Sequence, residues 1–402
     1  MWYICEVAKK LNKTVFVGVS GGVDSSVSAA LLKDQGYNVV GVFIRTWQPD
    51  FIECTWRDER RDAMRVCAHL DIPFLECDGE EAYKKGVADY MIEEYKKGNT
   101  PNPDVMCNRE VKFGIFWNFA KAHGADYIAT GHYACVDEIT ESVNSFSQNS
   151  LAPSFAKAQD GTPPPVAFRK LFTLSTSPDI LKDQSYFLWT LTQEDLEHTF
   201  FPVGHLRKSE VRKLAKKYNL PTATKKDSQG VCFLGPLDMK DFLKHYIESK
   251  RGDVLNEKGE VIGHHDGAVF LTLGERHGFT ITKNSTDDAP LYVVEKDVEK
   301  NTITVGLNKS SPKDMFSSGP RGKSPDHSET KSFGYSLKNI NWISSLPDED
   351  KIYTAQIRYH GEQLVCKIKH SAIIFEESIL VSPGQSIVVY DKNICLGGGV
   401  VV

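Results

Sequence analysis

Several features that would assign this 402-residue chain to a common class are missing from its sequence. No run of about eighteen apolar residues is present, and the residues from Met1 to Glu6 lack the charged region and apolar stretch of a signal peptide. The nine cysteines include no Cys-X-X-Cys pair, so neither a disulfide scaffold nor a zinc ribbon is indicated. We therefore expect a cytoplasmic protein with mostly free thiols and no membrane partner.

Charge and size narrow the class further. The formal net charge of −5 argues against a wholly basic nucleic-acid binder, although it permits a local basic face. The segment Lys208–Tyr218 predicts a basic helix, which with Lys225 and Lys226 makes the densest positive region of the chain. A solvated helix face is the alternative interpretation of that region. With 41% hydrophobic residues, the chain can bury one large core and form one or two further modules.

The order of apolar segments predicts an α/β domain followed by two β-rich parts. From Thr14 a strand, a glycine-rich turn, a helix over Val23–Gln35 and a second strand follow one another, which is typical of a doubly wound parallel sheet. After Gly252 short β-like segments replace the helical period, and Tyr353–Val402 has the pattern of a compact β-barrel. The expected parts are a first domain over 1–247 with a flexible insertion at 141–165, a central β-rich domain over 248–307, a linker over 308–332 and a C-terminal β-barrel over 333–402.

The loop Ser20–Ser26 lies between the first predicted strand and the first predicted helix. Its adjacent glycines permit close backbone approach, and the helix N-terminus offers unpaired N–H groups to phosphate. It is neither a Walker A loop nor a Gly-X-Gly-X-X-Gly turn, because their lysine and glycine spacings are absent. Its spacing resembles the Ser-Gly-Gly-X-Asp-Ser loop of the PP-loop ATP pyrophosphatases, which cleave ATP between the α and β phosphates. That resemblance implies that Asp24 helps to hold Mg²⁺, whereas an ordinary strand-to-helix turn is the weaker alternative.

Two cysteine motifs narrow the choice within this superfamily. The first, Pro101–Asn108, places Cys107 at the predicted entrance of a helix, where a thiol tends to have a lowered pKa. A small buried hydrophobic residue is the alternative interpretation of such a cysteine. The second motif, Asp227–Gly235, follows the basic region directly and contains Cys232.

These motifs, together with Ala129–Ala134 and Lys182–Leu188, closely resemble the tRNA-specific 2-thiouridylase family in order and approximate spacing. The resemblance continues through Ile357–Gly361 to Leu396–Gly399 and spans nearly the whole chain. It implies a doubly wound PP-loop ATPase domain, a small β-rich central domain and a C-terminal β-barrel.

The resemblance also implies a reaction. ATP with Mg²⁺ would adenylate the C2 oxygen of the wobble uridine, position 34, in the anticodon stem-loop of tRNA. Sulfur would then replace that oxygen, giving 2-thiouridine, AMP and pyrophosphate. Cys232 would carry a persulfide received from a sulfur donor protein, and Cys107 would be the nucleophile that helps to release sulfide or attacks the persulfide. Asp104 would act as a general base or orient the base edge, and an iron–sulfur cluster on these three residues is a further alternative, although three protein ligands fall short of four.

Further site residues are implied by the resemblance alone. The expected ATP contacts are Gly18, Val19, Ser20, Gly21, Gly22, Val23, Asp24, Ser25, Ile44 and Gly131. The expected tRNA contacts are Asn102, Pro103, Asp104, His132, Lys182, Asp183, Gln184, Arg358, Tyr359 and Gln385. One departure lies at Gly274–Gly278, where Glu275 and His277 replace the glutamine and lysine of the family's Gly-Gln-Arg-Lys-Gly. Any phosphate contact at that segment is therefore weakened or moved.

Other functions remain as alternatives at this point. A small-molecule ligase such as an argininosuccinate or GMP synthetase would use the same loop, but it needs neither the cysteine pair nor the barrel. A non-catalytic tRNA-binding protein would keep the barrel and the basic helix, but an intact Ser20–Ser26 loop argues against it. Thiolases that act on cytidine or on position 8 of tRNA usually show Cys-X-X-Cys pairs or an added RNA-binding module. The sequence therefore favours an ATP-dependent tRNA sulfurtransferase that acts on anticodon uridine.

Overall fold

The computed structural model describes residues 13–52, 56–143, 167–227, 230–235, 237–283, 290–307 and 333–402. The predicted linker at 308–332, and the predicted insertion from residue 144 onward, lie outside the described residues. The described chain contains three β-sheets. Within the described ranges, no helix combines the length and the apolar character needed to cross a membrane.

A five-stranded parallel sheet forms the centre of the first domain, in the order β3-β2-β1-β4-β7. Its strands are Thr14–Gly18 (β1), Asn38–Arg45 (β2), Phe74–Asp78 (β3), Tyr127–Ala129 (β4) and Thr199–Phe200 (β7). The strand order reverses between β1 and β4, because β2 lies on one side of β1 and β4 on the other. The loops after β1 and β4 therefore meet at the carboxyl edge of the sheet, where ligands bind in open α/β folds.

Helices cover both faces of this sheet because alternate residues of β1 are buried on opposite sides. Val15 and Val17 pack with the first two helices, whereas Phe16 packs with the next two. The first two helices are Val23–Asp34 (α1) and Trp56–His69 (α2). The next two each contain a π-helical stretch in the middle: α3 comprises Glu80–Tyr83, Lys84–Asp89 and Tyr90–Lys96, and α4 comprises Pro103–Cys107, Asn108–Ile115 and Phe116–Ala122. The later helices are Gln193–Glu197 (α5), Lys208–Lys217 (α6) and Met239–Lys244 (α7), with 3₁₀ turns at Ser185–Leu188 and Ala268–Phe270.

The central β-rich part is a second five-stranded sheet in the order β10-β9-β8-β12-β11. Its strands are Gly252–Leu255 (β8), Val261–His265 (β9), Phe279–Ile281 (β10), Tyr292–Asp297 (β11) and Thr302–Gly306 (β12). Its neighbours are antiparallel except for β8 and β12, which run parallel. Val254, Val293 and Ile303 are fully buried in its own small core.

The C-terminal strands form a closed barrel. They are Phe333–Trp342 (β13), Tyr353–Gln356 (β14), Leu364–Lys369 (β15), Ala372–Phe375 (β16), Ser386–Asp391 (β17) and Ile394–Val401 (β18). Pairing of β13 with β18 closes six strands into a ring, which removes free sheet edges. The predicted fold class, a parallel α/β domain followed by two β-rich parts, is confirmed.

A hairpin of the first domain extends the barrel sheet, which the sequence analysis did not predict. Strand β6 (Ala167–Thr176) pairs with β18, and β5 (Ala134–Val143) pairs with β6. The last three residues of β5 lie in the range predicted as a flexible insertion, but they pair with residues 167–169 and so continue the strand. Main-chain hydrogen bonds therefore tie the barrel to the first domain.

Because β13 and β18 approach closely where the barrel closes, we expect a methyl group added at Gly397 to destabilise the protein strongly. This glycine has φ +129, and a Cβ there would lie 2.0 Å from the main-chain oxygen of Asn341 on β13. We expect Gly397→Ala to destabilise the protein by the left-handed backbone cost of about 1–2 kcal/mol plus about 1–3 kcal/mol of overpacking. Thermal unfolding of the two variants should show the difference. Gly259→Ala is the control, because φ is +80 there with open space around the added Cβ. Equal melting temperatures for the two variants would contradict this account of the barrel closure.

Candidate functional site

The loop after β1 forms a tight turn that leaves the start of α1 open. Gly21 has φ +72, and a Cβ there would lie 2.6 Å from the main-chain oxygen of Glu59, so only glycine fits. The hydroxyl of Ser26 donates to the Gly22 oxygen at 2.6 Å, and the hydroxyl of Ser25 accepts from the Ser20 N–H at 3.3 Å. No side chain caps the N-terminus of α1 at Gly22. The first N–H groups of this twelve-residue helix are therefore available to an anion.

The loop after β4 packs directly against this helix start. A Cβ on Gly131 would lie 2.7 Å from the Ser25 nitrogen and 2.9 Å from the Asp24 carbonyl carbon. The Tyr133 hydroxyl donates to Asp24 Oδ1 at 2.7 Å. The structure therefore brings the predicted ATP residue Gly131 into contact with the predicted phosphate loop. Ile44 lies near the carboxyl end of β2, in the strand that pairs with β1.

Basic side chains bind two carboxylates beside the loop, those of Asp24 and Asp227. Lys208 Nζ lies 2.8 Å from both of its oxygens and 2.9 Å from Asp227 Oδ1. Lys182 and Arg212 also bind the carboxylate of Asp227. Burial alone would raise the pKa of Asp227, but hydrogen bonds from Lys208 and Lys182 lower it to about 2. Asp227 is therefore ionised near neutral pH.

The two cysteines identified from the sequence, Cys107 and Cys232, contact each other in the folded protein. Cys107 Sγ lies 3.4 Å from Cys232 Sγ, although 125 residues separate them in the chain. Asp104 Oδ1 accepts a hydrogen bond from the Cys232 N–H at 3.0 Å. The Tyr83 hydroxyl donates to the Cys232 carbonyl at 2.7 Å. Both main-chain polar groups of Cys232 are therefore fixed by side chains of α3 and α4.

The turn that carries Cys232 stores backbone strain. Phe233 has φ +65, a left-handed conformation that costs a non-glycine residue about 1–3 kcal/mol. Three contacts hold it in place: Gln48 Nε2 donates to its carbonyl at 3.1 Å, the Tyr83 ring meets its ring edge-on, and Lys112 Nζ lies 5.9 Å from its ring centroid. Strain of this kind persists where surrounding contacts fix it, as they do beside Cys232.

The π-helical stretch of α4 explains how Lys112 reaches the sulfur atoms. Asp104 and Cys107 are three residues apart, which places them on one face of an α-helical turn. Lys112 follows Cys107 by five residues, and an i→i+5 repeat returns it to the same side. Lys112 Nζ also lies 3.3 Å from His132 Nε2. Lys112 thus joins the cysteine pair to the loop after β4.

His132 is buried as a neutral ring. Burial, and then the positive charge of Lys112, lower the pKa of His132 well below its usual value. Its Nδ1 lies 2.7 Å from Thr130 Oγ1, so the ammonium of Lys112 can donate to Nε2 while Nδ1–H donates to the hydroxyl. His132, one of the residues expected to contact tRNA, therefore accepts a hydrogen bond from Lys112 and holds its ammonium in place.

The ionisation of the cysteine pair differs from the prediction. Burial, followed by its hydrogen bond to Cys232, raises the pKa of the Cys107 thiol well above its usual value. The hydrogen bond from Cys107 and the positive charge of Lys112 lower the pKa of Cys232, against the effect of burial. The expected lowered pKa of Cys107 is wrong because α4 begins at Pro103, one turn earlier, and Cys107 is fully buried. Of the two thiols, Cys232 is therefore the one that ionises more readily.

The residues expected to contact tRNA at 182–184 hold this region together. Lys182 binds Asp227 at 2.9 Å, and the carboxylate of Asp183 accepts from the Ser177 N–H and the Ser185 hydroxyl. Gln184 Oε1 accepts from the Tyr133 N–H at 3.0 Å. Burial raises the pKa of Asp183, against the effect of its hydrogen bonds. Of the three side chains, that of Gln184 therefore fixes the loop after β4, and the other two bind neighbouring segments.

The other expected tRNA residues lie at two places around α4. Asn102 caps this helix by accepting from two main-chain N–H groups, and Pro103 occupies its first turn. Tyr359, from the barrel, packs its ring 4.4 Å from that of Phe187, and Arg358 beside it is exposed. Gln385 accepts a hydrogen bond from the Ser382 N–H, in the turn where Gly384 packs against Thr100. The barrel therefore contacts the chain just before the helix that carries Asp104.

Four residues of the site were not identified from the sequence: Tyr83, Lys112, Tyr133 and Lys208. Tyr133 and Lys208 lie inside segments that the sequence analysis had singled out, but their direction toward Asp24 depends on tertiary packing. The signal for Lys112 is its five-residue spacing from Cys107, which has meaning only in a π-helix. Tyr83 carries no local signal, because its partner is a main-chain oxygen 149 residues away.

Comparisons with known proteins match nearly the whole chain. Residues 13–236 match the family described as tRNA methyl transferase HUP domain. Residues 240–307 match the tRNA methyl transferase PRC-barrel domain, and residues 333–401 match the aminomethyltransferase beta-barrel domain. A protein named tRNA-specific 2-thiouridylase MnmA from Nitrosomonas europaea is 38% identical and covers 98% of this chain and 99% of its own length. The chain belongs to the tRNA-specific 2-thiouridylase family.

Further members of the tRNA-specific 2-thiouridylase family match equally well. The protein of that name from Buchnera aphidicola is 38% identical over 98% of this chain and 97% of its own length. The one from Bacillus subtilis is 38% identical over 96% of this chain and 94% of its own length. The resemblance drawn from the sequence motifs is thereby confirmed, and it favours neither a small-molecule ligase nor a bare tRNA-binding protein.

The position of Lys112 in this 2-thiouridylase predicts a measurable effect on Cys232. Removing its charge in Lys112→Met should raise the pKa of Cys232, because an ammonium stabilises the thiolate over the thiol. The pH midpoint for alkylation of Cys232 by iodoacetamide should move to higher pH, and its rate at neutral pH should fall several-fold. Peptide mass spectrometry resolves Cys232 from the other cysteines. An unchanged pH profile would show that Lys112 does not set the charge on Cys232. Lys121→Met, which removes an exposed lysine of the same helix, is the control.

Proposed function

We propose that this protein is an ATP-dependent tRNA sulfurtransferase that makes 2-thiouridine at the wobble position, 34, of tRNA. The observation that carries the proposal is the 3.4 Å contact between Cys107 and Cys232, with Asp104 bound to the Cys232 N–H. Family membership over almost the full length supports the same activity. A pyrophosphatase-type ligase would need the phosphate loop but would have no use for a thiol–thiolate pair beside it.

The first step is adenylation of the uridine. The C2 oxygen forms a bond to the α-phosphorus of ATP, the bond from that phosphorus to the β-phosphate oxygen breaks, and pyrophosphate leaves. We assign ATP binding to the open start of α1 and to the loop residues 18–25 with Ile44 and Gly131. Helix N–H groups and nearby lysines stabilise the charge that develops on the leaving pyrophosphate. Adenylation makes the C2 oxygen, a poor leaving group by itself, part of AMP, which leaves readily.

The second step is sulfur transfer. The Cys232 thiolate attacks the terminal sulfur of a donor protein's persulfide, so that Cys232 gains the sulfur and the donor leaves as a thiolate. The terminal sulfur of Cys232 then attacks C2, and AMP leaves. Cys107 then loses its proton and attacks Cys232 Sγ, the sulfur–sulfur bond breaks toward the product, a Cys107–Cys232 disulfide forms, and the thiolated base takes up a proton at N3. Alternatively, Cys107 attacks Cys232 Sγ before the transferred sulfur reaches C2, and hydrosulfide is released. The hydrosulfide then attacks C2, AMP leaves, and the same disulfide remains. An external thiol reductant must reopen the disulfide for a further turnover.

Asp104 is suited to orient the uridine. One of its carboxylate oxygens accepts from the Cys232 N–H, which leaves the other for the N3–H of the base. Burial raises the pKa of Asp104, while the hydrogen bond from the Cys232 N–H lowers it. A carboxyl group in this position can also take a proton from N3 as the C2 oxygen attacks phosphorus. Whether Asp104 accepts a hydrogen bond from N3 or takes its proton, it would hold C2 of the uridine near the sulfur of Cys232.

Magnesium fits this site and an iron–sulfur cluster does not. Mg²⁺ is usually held by one or two carboxylates together with substrate phosphates, and Asp24 beside the phosphate loop meets that need. Bound Mg²⁺ would neutralise phosphate charge. An iron–sulfur cluster usually takes four cysteine ligands. The described residues contain no group of three His, Cys, Asp or Glu side chains arranged for a metal, and Asp104 is already bound to a main-chain N–H. No step is therefore assigned to such a cluster.

The tRNA partner is assigned to the face that carries α6 and the barrel residues Arg358 and Tyr359. Lys213, Lys216 and Lys217 are exposed along α6. Arg212 was expected to belong to this face, but its guanidinium binds Asp227 and two main-chain oxygens. The anticodon stem-loop would lie across this surface with its wobble base near Asp104. The seven described cysteines are unpaired, in keeping with a cytoplasmic enzyme that uses free thiols.

The two cysteines predict distinct failures. Cys232→Ser should form no 2-thiouridine yet still release pyrophosphate, because a hydroxyl carries no persulfide and the phosphate loop is untouched. Cys107→Ser should keep a persulfide on Cys232 but fail to turn over, because the attacking thiol is missing. Nucleoside mass spectrometry of tRNA measures the product, and mass spectrometry of the intact protein measures the persulfide.

A third substitution is the control for this experiment. Cys135→Ser changes a half-buried cysteine on β5 and should form product at the wild-type rate. Wild-type rates of 2-thiouridine formation in either Cys107→Ser or Cys232→Ser would overturn the sulfur route. Wild-type protein that forms no 2-thiouridine from ATP, tRNA and a persulfide donor would overturn the proposed function.

The exposed lysines of α6 predict a salt-dependent loss of tRNA binding. Replacing Lys213, Lys216 and Lys217 together with glutamine should weaken binding and lower the slope of log affinity against log salt by about 2, since each phosphate contact contributes about 0.7–0.9. Filter binding at several salt concentrations measures the slope. The control replaces Lys258, Lys367 and Lys369, which are exposed on the other two domains. Equal slopes for the two triple variants would favour the alternative interpretation, in which α6 is a solvated helix face that does not contact tRNA.

A further inference from the structure

Lys208 is a largely buried cation at the phosphate loop. It is the first residue of α6, and its side chain is 15% exposed. Its ammonium lies 2.8 Å from both oxygens of Asp24, 2.9 Å from Asp227 Oδ1 and 5.7 Å from the centroid of the Tyr133 ring. Its own N–H donates to Asp179 Oδ2 at 2.8 Å. The side chain is therefore fixed at both ends.

The charge of Lys208 is placed where a cation is otherwise unfavourable. Asp24 lies in the first turn of α1, whose dipole presents partial positive charge at that end. An ammonium beside an uncapped helix start adds positive charge to positive charge. Asp24 and Asp227 offset part of this, but Asp227 also binds Lys182 and Arg212, and Asp24 also faces the N–H groups of the helix start. A polyanion would satisfy both the ammonium and the helix start at once.

The packing of α6 on α1 does not require this ion pair. Val23 and Val27 of α1 are buried against Val211 and Ala215 of α6 in one apolar cluster. Burial of these four apolar side chains holds the two helices together through the hydrophobic effect. A lysine serving only to join the two helices would therefore be redundant. The position of its ammonium on Asp24 needs another reason.

We propose that Lys208 binds the β and γ phosphates of ATP, and that Asp24 and Asp227 hold its ammonium ready for them. This inference rests on the proposed function, since it assigns a residue to the ATP step. A carboxylate that holds Mg²⁺ cannot keep an ammonium on both oxygens, so nucleotide binding displaces Lys208 from Asp24. Asp227, fixed by Lys182 and Arg212, keeps the ammonium at the loop during that exchange. The freed charge then faces the pyrophosphate that leaves during adenylation.

The test compares ligands that contain or lack the pyrophosphate part. Isothermal titration calorimetry would measure binding of ATP, inorganic pyrophosphate and AMP, each with Mg²⁺, to the full-length protein. Lys208→Met should bind ATP and pyrophosphate at least about tenfold more weakly, the effect of losing one charge-assisted hydrogen bond of about 1.5–3 kcal/mol. AMP affinity should stay at the wild-type value. Lys208→Arg should restore part of the lost affinity, and Lys258→Met should bind all three ligands like wild type.

Two outcomes would overturn the assignment. Wild-type affinity of Lys208→Met for pyrophosphate would show that the ammonium does not reach the phosphates. An equal loss for AMP and pyrophosphate would show that Lys208 only shapes the loop, and circular dichroism would show whether Lys208→Met is folded. If it is not, Lys208→Arg carries the comparison, and a loss of AMP binding equal to that of pyrophosphate would again reject the role. Failure of the wild-type protein to bind ATP would instead count against the proposed function.

Discussion

The packing of Thr130–Tyr133 against two different partners is the constraint on which the site depends. These four residues follow β4 at the point where strand order reverses. Gly131 touches the start of α1 so closely that a Cβ would collide with the Ser25 nitrogen, and Tyr133 binds Asp24. Between them, His132 faces the opposite way and contacts Lys112 beside the cysteine pair. One short loop therefore links the Ser20–Ser26 loop to the helix that carries Cys107 and Lys112.

Much of the fold and part of the site could be predicted from the sequence. The strand–loop–helix order around Ser20–Ser26 favours a phosphate site over an ordinary strand-to-helix turn, because adjacent glycines before a helix suit phosphate. The meeting of Cys107 with Cys232 was implied by family resemblance and is now seen as a contact. Lys112 could not be predicted, since periodicity arguments assume 3.6 residues per turn and its direction depends on a π-helical stretch. The β5–β6 hairpin could not be predicted either, because its pairing with β18 joins residues more than 200 positions apart.

The ionisation of the cysteines shows why helix position alone misleads. A cysteine in the first turn of a helix benefits from free N–H groups, but Cys107 lies one turn further in and is completely buried. Desolvation then outweighs the dipole, and its proton stays on sulfur. Cys232, in a strained turn outside any helix, receives the Cys107 proton as a hydrogen bond and the charge of Lys112. Which of the two thiols ionises more readily therefore depends on neighbouring groups and not on secondary structure.

Lys112 connects the ionisation of Cys232 to that of Asp104. Lys112 faces both the Cys232 thiolate and the Asp104 carboxylate, and each of these anions disfavours the other. Burial raises the pKa of Asp104, whereas the Cys232 N–H and the charge of Lys112 lower it. Any change in the charge on Cys232 therefore changes how strongly Lys112 stabilises an ionised Asp104. One buried lysine thus couples the ionisation of the cysteine to that of the carboxylate, so that the two groups act as a unit.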